Sequence, residues 1–293
     1  MGMNLAFIGT GVMGCAMAGH LLSAGHSLAV HNRTKAKASK LLARGARWAD
    51  TPVDAAAKAD VVFLCVADTP DVREVLTGEH GLIHRPKRGQ VVVDHSTISP
   101  KATRELAQQL HASGLFLLDA PVSGGDIGAQ KATLSIMVGG EEHAFKQVEP
   151  LLRLMGRSIL HCGPSGNGQL TKLVNQILVS VTNMAVCEAM TFARKHELDM
   201  KKTLAAVSGG AAQSWQLENL APKMVAGDYK PGFMIDLQQK DLRLVMDAAA
   251  RNNTSLPATS LVHQLFSAAQ AAGHGREGTQ ALFAVLEKLA NIH

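Results

Sequence analysis

The sequence predicts an α/β fold in two parts: a doubly wound parallel-sheet domain at residues 1–163, and an all-α domain at residues 164–293 that a long helix joins to it. In the first part, short apolar runs alternate with segments of helical periodicity, the pattern of a parallel sheet covered by helices on both faces. After about residue 163 this alternation stops, and a long apolar-periodic stretch without proline begins.

Five short and mostly apolar runs are the predicted strands of the first domain: residues 3–8, 27–31, 61–66, 91–94 and 115–119. Runs of this kind, without polar alternation, are expected of strands that are buried on both sides. Between them, the spacing of apolar residues predicts helices that include residues 12–24, 35–43 and 99–112.

The second domain is predicted to be helical throughout. One long helix is expected within residues 163–196, where glycines precede apolar residues at helical spacing. Further helices are expected at residues 201–207, 217–224, 237–251, 260–272 and 278–289. Glycine and proline residues lie between several of these segments, where they interrupt helices.

The composition argues against several classes of protein. With 46% hydrophobic and 18% charged residues and no repetitive tract, the chain is expected to be compact rather than disordered. The formal net charge is +5, but the lysines and arginines form no dense block, and only 4% of the residues are aromatic. Nucleic acid is therefore not an expected partner.

Cysteine and histidine spacing shows no metal-site pattern. The four cysteines are Cys15, Cys65, Cys162 and Cys187, all far apart, and the 13 histidines form no HExxH motif. The N-terminus runs directly into a predicted strand without a signal sequence, and no uninterrupted apolar run is long enough to span a bilayer. We therefore expect a cytoplasmic protein with neither a bound metal nor a membrane partner.

A glycine-rich turn lies between the first predicted strand and the first predicted helix. The pattern GxGxxG is formed by Gly9, Thr10, Gly11, Val12, Met13 and Gly14. In a dinucleotide-binding domain of the Rossmann type, the first glycine makes the tight turn, the second lets the backbone approach a pyrophosphate, and the third allows close packing of the helix. The helix N-terminus supplies N–H groups to the phosphates. The turn therefore predicts a nicotinamide dinucleotide site.

The residues after the second predicted strand indicate which dinucleotide. NAD-binding domains of this type place a carboxylate there for the ribose 2′-hydroxyl, but this chain has Asn32, Arg33 and Thr34. Arg33 offers a planar fork of donors that suits a 2′-phosphate, and its two neighbours add neutral hydrogen bonds. NADP is therefore the expected cofactor, and NAD remains possible.

Four motifs follow one another along the chain: FIGTGVMGCAMAGHLLSAGH at 7–26, DAPVSGG at 119–125, GNGQLTKLVNQ at 166–176, and PGF with KDL within 231–242. Together they resemble the β-hydroxyacid dehydrogenase family, which includes 3-hydroxyisobutyrate dehydrogenase, tartronate semialdehyde reductase and glyoxylate/succinic semialdehyde reductase. The resemblance covers nearly the whole chain. It implies a hydride transfer between a nicotinamide and a small carboxylate-bearing substrate.

The resemblance also implies roles for individual residues. Lys172 is the acid/base catalyst, and Asn175, three residues later on the same helix face, orients the substrate. Ser123, Gly124 and Gly125 hold the substrate carboxylate. The cofactor-lining residues that it implies are Val66, Ala67, Thr97, Phe233 and Lys240. The family often has proline where this chain has Ala67.

The expected activity is an NADP-preferring dehydrogenase or semialdehyde reductase with Lys172 as general acid/base. Two alternatives stay open: an imine reductase of similar architecture, and a non-catalytic binding or chromatin-associated relative. Lys172 argues against the imine reductase, in which that lysine is commonly replaced, and Lys172, Asn175 and the substrate loop argue against the non-catalytic relative. Glyoxylate, succinic semialdehyde, tartronate semialdehyde and 3-hydroxyisobutyrate all remain candidate substrates. The long apolar helix suggests a homodimer or homotetramer.

Overall fold

The computed structural model describes residues 2–292, and the chain divides into two compact units, Met1–Lys172 and Leu173–His293. Met1 and His293, the outer ends of the two predicted domains, lie outside the described residues. The division falls inside the long helix, whereas the sequence places the boundary before it, after Gly163. The domain limits read from the sequence stay a prediction.

The first unit is built on a six-stranded sheet in the order β3-β2-β1-β4-β5-β6, in which every pairing is parallel. Its strands are β1 Asn4–Ile8, β2 Ser27–His31, β3 Arg47–Trp48, β4 Val61–Leu64, β5 Val91–Asp94 and β6 Phe116–Asp119. The predicted doubly wound parallel sheet is confirmed. The order reverses at β1, between β2 and β4, and ligands of such sheets bind at the carboxyl ends of the strands beside this point.

Helices cover both faces of the sheet. They are α1 Val12–Ser23, α2 Ser39–Leu42, α3 Pro52–Ala56, α4 Thr69–Thr77, α5 Pro100–Ala112, α6 Gly125–Gln130 and α7 Glu142–Leu152, with 3-10 turns at Lys35–Ala38 and Leu82–His84. Phe7 and Phe63 belong to the hydrophobic core on one face, whereas Ala6, Ile8 and Val62 belong to the core on the other. Because successive strand residues point to opposite faces, this alternation explains why the strands are apolar throughout.

A second sheet, which the sequence did not predict, has three strands: β7 Val122–Ser123, β8 Leu134–Val138 and β9 Gly156–His161. The β7–β8 pairing is antiparallel and the β8–β9 pairing is parallel. In β8 only alternate residues are buried, β9 is largely accessible, and β7 has two residues. None of these strands forms a continuous apolar run, so the signal that identified the main sheet is missing here.

The described residues of the second unit are helical, as predicted. The long helix α8 spans Asn167–Lys195 and is followed by α9 Met200–Ser208, α10 Trp215–Asn219, α11 Ala221–Ala226, α12 Ile235–Arg251, α13 Pro257–Ala271 and α14 Leu282–Leu289, with a 3-10 turn at Thr279–Ala281. The helix predicted at residues 217–224 is two helices, α10 and α11. The break falls at Leu220, and Pro222 occupies the first turn of α11 because proline lacks the N–H that a helix interior requires.

Helix α8 is 29 residues long and, by length and composition, could cross a membrane. The core helix of a soluble protein satisfies the same criterion, and 44% of the apolar part of α8 is buried in the protein. Length and composition therefore do not support the sequence argument that no segment could span a bilayer. The absence of a membrane partner stays a prediction.

Candidate active site

The glycine turn after β1 is shaped by steric limits. Gly9 has a φ of +91°, and a Cβ there would lie 2.2 Å from the carbonyl oxygen of Cys65. A Cβ on Gly14 would lie 2.0 Å from the carbonyl oxygen of Gly9, whereas one on Gly11 would meet nothing within 4 Å. Two of the glycines are thus required by packing, and the third borders open space.

The space beside Gly11 is suited to a phosphate group. Helix α1 begins at Val12 without a side-chain cap at Gly11, so its first N–H groups and positive dipole end can face a phosphate. The Thr10 hydroxyl is buried without a hydrogen-bond partner, and the Thr10 N–H donates to Asn32 Oδ1 at 3.0 Å. The turn therefore offers backbone donors and an unused hydroxyl at the switch point of the sheet.

The loop after β2 presents a cation. Asn32 Nδ2 donates to the carbonyl oxygen of Thr34 at 2.9 Å, which closes the loop on itself. The Arg33 side chain is 86% exposed, and its NH1 lies 3.0 Å from Asp71 Oδ1 in the first turn of α4. Asn32 thus serves the loop and the glycine turn, while Arg33 extends from the loop toward α4.

The loops after β4 and β5 are tied together. The Val66 N–H donates to Ser96 Oγ at 2.9 Å, and the Ser96 N–H donates to Asp94 Oδ1 at 2.8 Å. Ala67 is exposed and Thr97 is half-buried. These predicted cofactor-lining residues therefore stand at the carboxyl ends of neighbouring strands, next to the glycine turn.

The N-terminus of α8 is held by the buried carboxylate of Asp119, at the end of β6. The N–H of Gly166 donates to Oδ1 and that of Gln169 donates to Oδ2, both at 2.8 Å. A Cβ on Gly168 would lie 2.4 Å from the carbonyl oxygen of Met137, so the helix approaches the second sheet closely. Two hydrogen bonds and one steric requirement therefore fix where α8 starts.

Gln169 fixes the same helix from another side. Its Oε1 accepts from the Ile98 N–H at 3.1 Å, and its Nε2 donates to the carbonyl oxygen of Ser96 at 2.8 Å. Lys172 is three residues further along α8 and is only 7% exposed. A lysine held this deeply on a doubly anchored helix can move a proton at a defined position.

Neither anchor of α8 was predicted from the sequence. Asp119 and Gln169 lie inside the motifs DAPVSGG and GNGQLTK, which were assigned to substrate and catalysis only. An acidic residue at a strand end is a general signal for a partner of a helix N-terminus and could have marked Asp119 as a candidate, but it does not say which helix it contacts. No such signal marks Gln169.

The substrate loop follows β7. Gly124 has a φ of +130° and Gly125 a φ of +64°, conformations that favour glycine at both positions. A Cβ on Gly125 would meet nothing within 4 Å, so the space beside this loop is open. Ser123, half-buried at the end of β7, precedes it. The loop can present a hydroxyl and backbone N–H groups to a carboxylate.

In the second unit, two hydrogen bonds and one ion pair link the predicted site residues Asn175 and Lys240. Asn175 Nδ2 donates to Gln176 Oε1 at 2.8 Å, and Gln176 Nε2 donates to Asp241 Oδ2 at 2.5 Å. Asp241 Oδ1 in turn lies 2.8 Å from Lys240 Nζ. Gln176 and Asp241 are almost fully buried. Neither was predicted from the sequence, although each directly follows a predicted site residue on the same helix.

Phe233 belongs to the loop before α12 and is half-buried. Its carbonyl oxygen accepts from the Thr279 N–H at 3.0 Å, which fastens the loop to the turn before α14. Phe233, Asn175 and Lys240 belong to the second unit, whereas Lys172 and the other predicted site residues belong to the first. Among residues 2–292, no group of three His, Cys, Asp or Glu side chains could hold a metal ion.

Two buried titratable groups, His95 and Asp119, lie at the carboxyl ends of the neighbouring strands β5 and β6. Burial raises the pKa of Asp119 to about 6, against the opposing effect of its backbone hydrogen bonds. Burial lowers the pKa of His95 to about 4, although its Nδ1, 2.7 Å from the carbonyl oxygen of Ala120, makes a hydrogen bond that favours the charged form. His95 is therefore neutral in the folded protein at neutral pH.

Two family models match the chain, one over each half. Residues 4–163 match the NAD binding domain of 6-phosphogluconate dehydrogenase, and residues 166–286 match the family described as NAD-binding of NADP-dependent 3-hydroxyisobutyrate dehydrogenase. The chain belongs to the β-hydroxyacid dehydrogenase family. This confirms the predicted family and an NAD(P)-dependent oxidoreductase of the 3-hydroxyacid dehydrogenase class.

Individual relatives of this family member agree. The 2-hydroxy-3-oxopropionate reductase of Escherichia coli is 42% identical over 289 residues, which cover 99% of each chain. The solved structure of Mycobacterium tuberculosis 3-hydroxyisobutyrate dehydrogenase with L-serine has a TM-score of 0.89 and 32% identity, covering 98% of this chain and 99% of that one. A structure named Psf3 in complex with NADP+ and 2-OPP has a TM-score of 0.88 and 28% identity, covering 96% and 99% of the two chains.

Imine reductases are more distant. The enzyme from Pseudomonas sp. has a TM-score of 0.64 and 20% identity, covering 98% of this chain and 100% of that one, a similarity of fold alone. The comparisons thus favour the hydroxyacid dehydrogenase class over the imine reductase alternative.

The buried groups Asp119 and His95 should change stability with pH in opposite directions. Asp119 has a folded pKa above its ordinary 3.8, so its contribution to stability falls as pH rises from about 3.8 to about 6. His95 has a folded pKa below its ordinary 6.5, so its contribution is lost as pH falls from 6.5 to about 4. The two effects should largely cancel in the wild-type protein between these values.

Asp119→Asn should expose the effect of His95. Its free energy of unfolding, measured with urea at pH 6.5, 5 and 4, should decrease on acidification by roughly 2–3 kcal/mol more than that of the wild type. His95→Asn is the matched control and should change slope in the opposite sense. Equal slopes for Asp119→Asn and the wild type would contradict the raised pKa of Asp119.

Proposed function

We propose that this protein is an NADP-preferring oxidoreductase that transfers hydride between the nicotinamide and a small β-hydroxy acid or its semialdehyde, with Lys172 as general acid/base. The observation that supports this best is the setting of Lys172: a 7% exposed lysine on α8, whose start is held by Asp119 and Gln169. Burying a lysine costs free energy, so a buried lysine on a rigid helix suggests a chemical use.

The residues of the chain would divide the reaction between them. When bound, the cofactor supplies the hydride for reduction and accepts it in oxidation. Lys172 Nζ donates a proton to the substrate oxygen in reduction and takes it back in oxidation. Ser123, Gly124 and Gly125 bind the carboxylate, and Asn175, held by Gln176, orients the substrate. Fixed donors of this kind lower the barrier by positioning the reactants.

The cofactor residues are assigned from the glycine turn and the loops around it. We propose that the pyrophosphate binds beside Gly11, which borders open space at the uncapped start of α1, and that Asn32 and Thr34 contact the ribose. Val66, Ala67, Thr97, Phe233 and Lys240 are proposed to line the rest of the cofactor. Arg33, without a neighbouring carboxylate in its own loop, suits a 2′-phosphate. The similar structure Psf3 contains NADP+, which agrees with a nicotinamide cofactor.

The substrate class is proposed from the loop and the relatives together. A carboxylate suits the hydroxyl and N–H donors after β7. The E. coli and M. tuberculosis relatives are named for 2-hydroxy-3-oxopropionate and 3-hydroxyisobutyrate, both small carboxylates. Glyoxylate, succinic semialdehyde, tartronate semialdehyde and 3-hydroxyisobutyrate are therefore the compounds to assay first.

We also propose a soluble cytoplasmic homo-oligomer that pairs through α8. Val174 and Leu178, one turn apart on this helix, are 58% and 63% exposed. Leu178 also borders an apolar groove of about 270 Å³ between α8 and the start of α13. Apolar surface of this kind on a soluble protein commonly marks a subunit contact.

Lys172→Ala should lower kcat by about 100-fold or more, the usual loss when a general acid is removed, while cofactor affinity changes little. Steady-state rates with the four candidate substrates and calorimetric binding of NADP+ measure the two quantities. Lys202→Ala, which removes an exposed lysine on α9, is the control. Near-normal turnover of Lys172→Ala would remove the lysine from its proposed role.

Arg33→Ala should reduce the preference for NADP over NAD by roughly 10- to 150-fold, the equivalent of about 1.5–3 kcal/mol for hydrogen bonds to a charged group. The ratio of kcat/KM with the two cofactors gives this preference. Arg85→Ala removes another exposed, ion-paired arginine and should leave the ratio unchanged. A wild-type enzyme that prefers NAD would refute the assignment of Arg33.

Leu178→Asp should convert the oligomer to a monomer of about 31 kDa, because a carboxylate cannot be buried in an apolar contact without a large cost. Light scattering after size-exclusion chromatography measures the mass. Leu289→Asp, at a position 67% exposed on α14, is the matched control. An oligomer that persists in Leu178→Asp would place the subunit contact elsewhere.

A further inference from the structure

An ion pair crosses the sheet at its switch point. Arg33 follows β2, and Asp71 lies in the first turn of α4, the helix that follows β4. In the sheet order, β2 and β4 are the two neighbours of β1, whose carboxyl end carries the glycine turn. Adjacent strands are about 4.8 Å apart, so the two sides are roughly 10 Å apart and a long arginine can bridge them.

Asp71 is the fixed member of this pair. Its Oδ2 accepts from the Asp68 N–H at 3.2 Å, as one half of the capping box that starts α4. Its side chain is 28% exposed, against 86% for Arg33. The helix cap therefore fixes the position of the Asp71 carboxylate, and the more exposed Arg33 side chain extends to reach it.

We infer that Asp71 is a specificity-determining residue that limits the preference of this enzyme for NADP over NAD. The inference rests on the proposed role of Arg33. The Arg33 guanidinium, which we propose binds the 2′-phosphate, lies 3.0 Å from the carboxylate of Asp71. This contact already occupies one N–H donor of Arg33. Asp71 therefore competes with the phosphate for Arg33.

The charge of Asp71 acts on one cofactor only. A 2′-phosphate carries up to two negative charges, and a carboxylate bonded to the same guanidinium repels them. NAD has a neutral hydroxyl in that place, so the same carboxylate costs NAD nothing comparable. Both groups are accessible to solvent, so the repulsion is moderate and weakens with salt.

Two fragments of the cofactors test this without any catalytic step. Adenosine 2′,5′-bisphosphate carries the 2′-phosphate, and 5′-AMP lacks it. Asp71→Asn keeps an acceptor for the Asp68 N–H and removes the charge. Its Kd for the bisphosphate, measured by calorimetry, should be about three- to tenfold lower than that of the wild type, and its Kd for 5′-AMP should change less than twofold. The gain should shrink in 1 M NaCl.

Asp54→Asn is the matched control, since Asp54 forms another exposed ion pair, with Arg85 at 3.4 Å. Its Kd values should equal those of the wild type. Asp71→Ser is a second variant that removes the charge and keeps a hydroxyl for the cap, and it should give the same gain. An unchanged or weaker affinity of both Asp71 variants for the bisphosphate, with their helix content intact by circular dichroism, would overturn the inference.

Arg33→Ala separates this inference from the proposed function. If Arg33→Ala weakens binding of the bisphosphate but the Asp71 variants do not strengthen it, Asp71 has no part in specificity and the NADP proposal stands. If the wild type binds the bisphosphate no more tightly than 5′-AMP, and Arg33→Ala changes neither Kd, both proposals fail.

Discussion

The buried carboxylate of Asp119 is the interaction on which the candidate active site depends most. It accepts hydrogen bonds from the N–H groups of Gly166 and Gln169, and so defines where α8 begins. A helix start leaves N–H groups without partners, and a carboxylate satisfies them and complements the helix dipole. Lys172, one turn later, receives its position from this contact. The price is a carboxylate kept out of water, visible in its raised pKa.

The same edge of the sheet also contains the glycine turn and the side-chain amides that tie its loops together. Close packing demands glycine at Gly9 and Gly14, while Gly11 leaves space for a ligand. Side-chain amides from Asn32 and Gln169 connect neighbouring loops to the glycine turn and to α8. These amides bond backbone groups that would otherwise lack partners, and so they fix the loops in position at this edge of the sheet.

Two kinds of charged group lie at this edge of the sheet: one pair is buried and the other is accessible to solvent. Near the sheet interior, His95 and Asp119 are shielded from water, and their charge states respond to burial. At the rim, Arg33 and Asp71 are accessible, and their attraction is weak enough for a ligand to change it. The first pair belongs to stability and to the placement of α8. The second pair lies where we propose that the cofactor is selected, and small differences in binding free energy are enough for such a selection.

Apolar periodicity and ordered motifs were enough to predict the parallel sheet, the helical second half and the family, because they depend only on which residues are neighbours in the chain. The sequence also identified Lys172, Arg33 and the glycine turn as candidates. The second sheet was not predicted from the sequence, because β7, β8 and β9 lack a continuous apolar run. The partners of polar residues could be seen only in the folded chain, because the members of each pair lie far apart in the sequence: Asp119 with Gly166, Gln176 with Asp241, and Arg33 with Asp71. A hydrogen bond or ion pair depends on distance and direction in space, and no local pattern in the sequence carries that information.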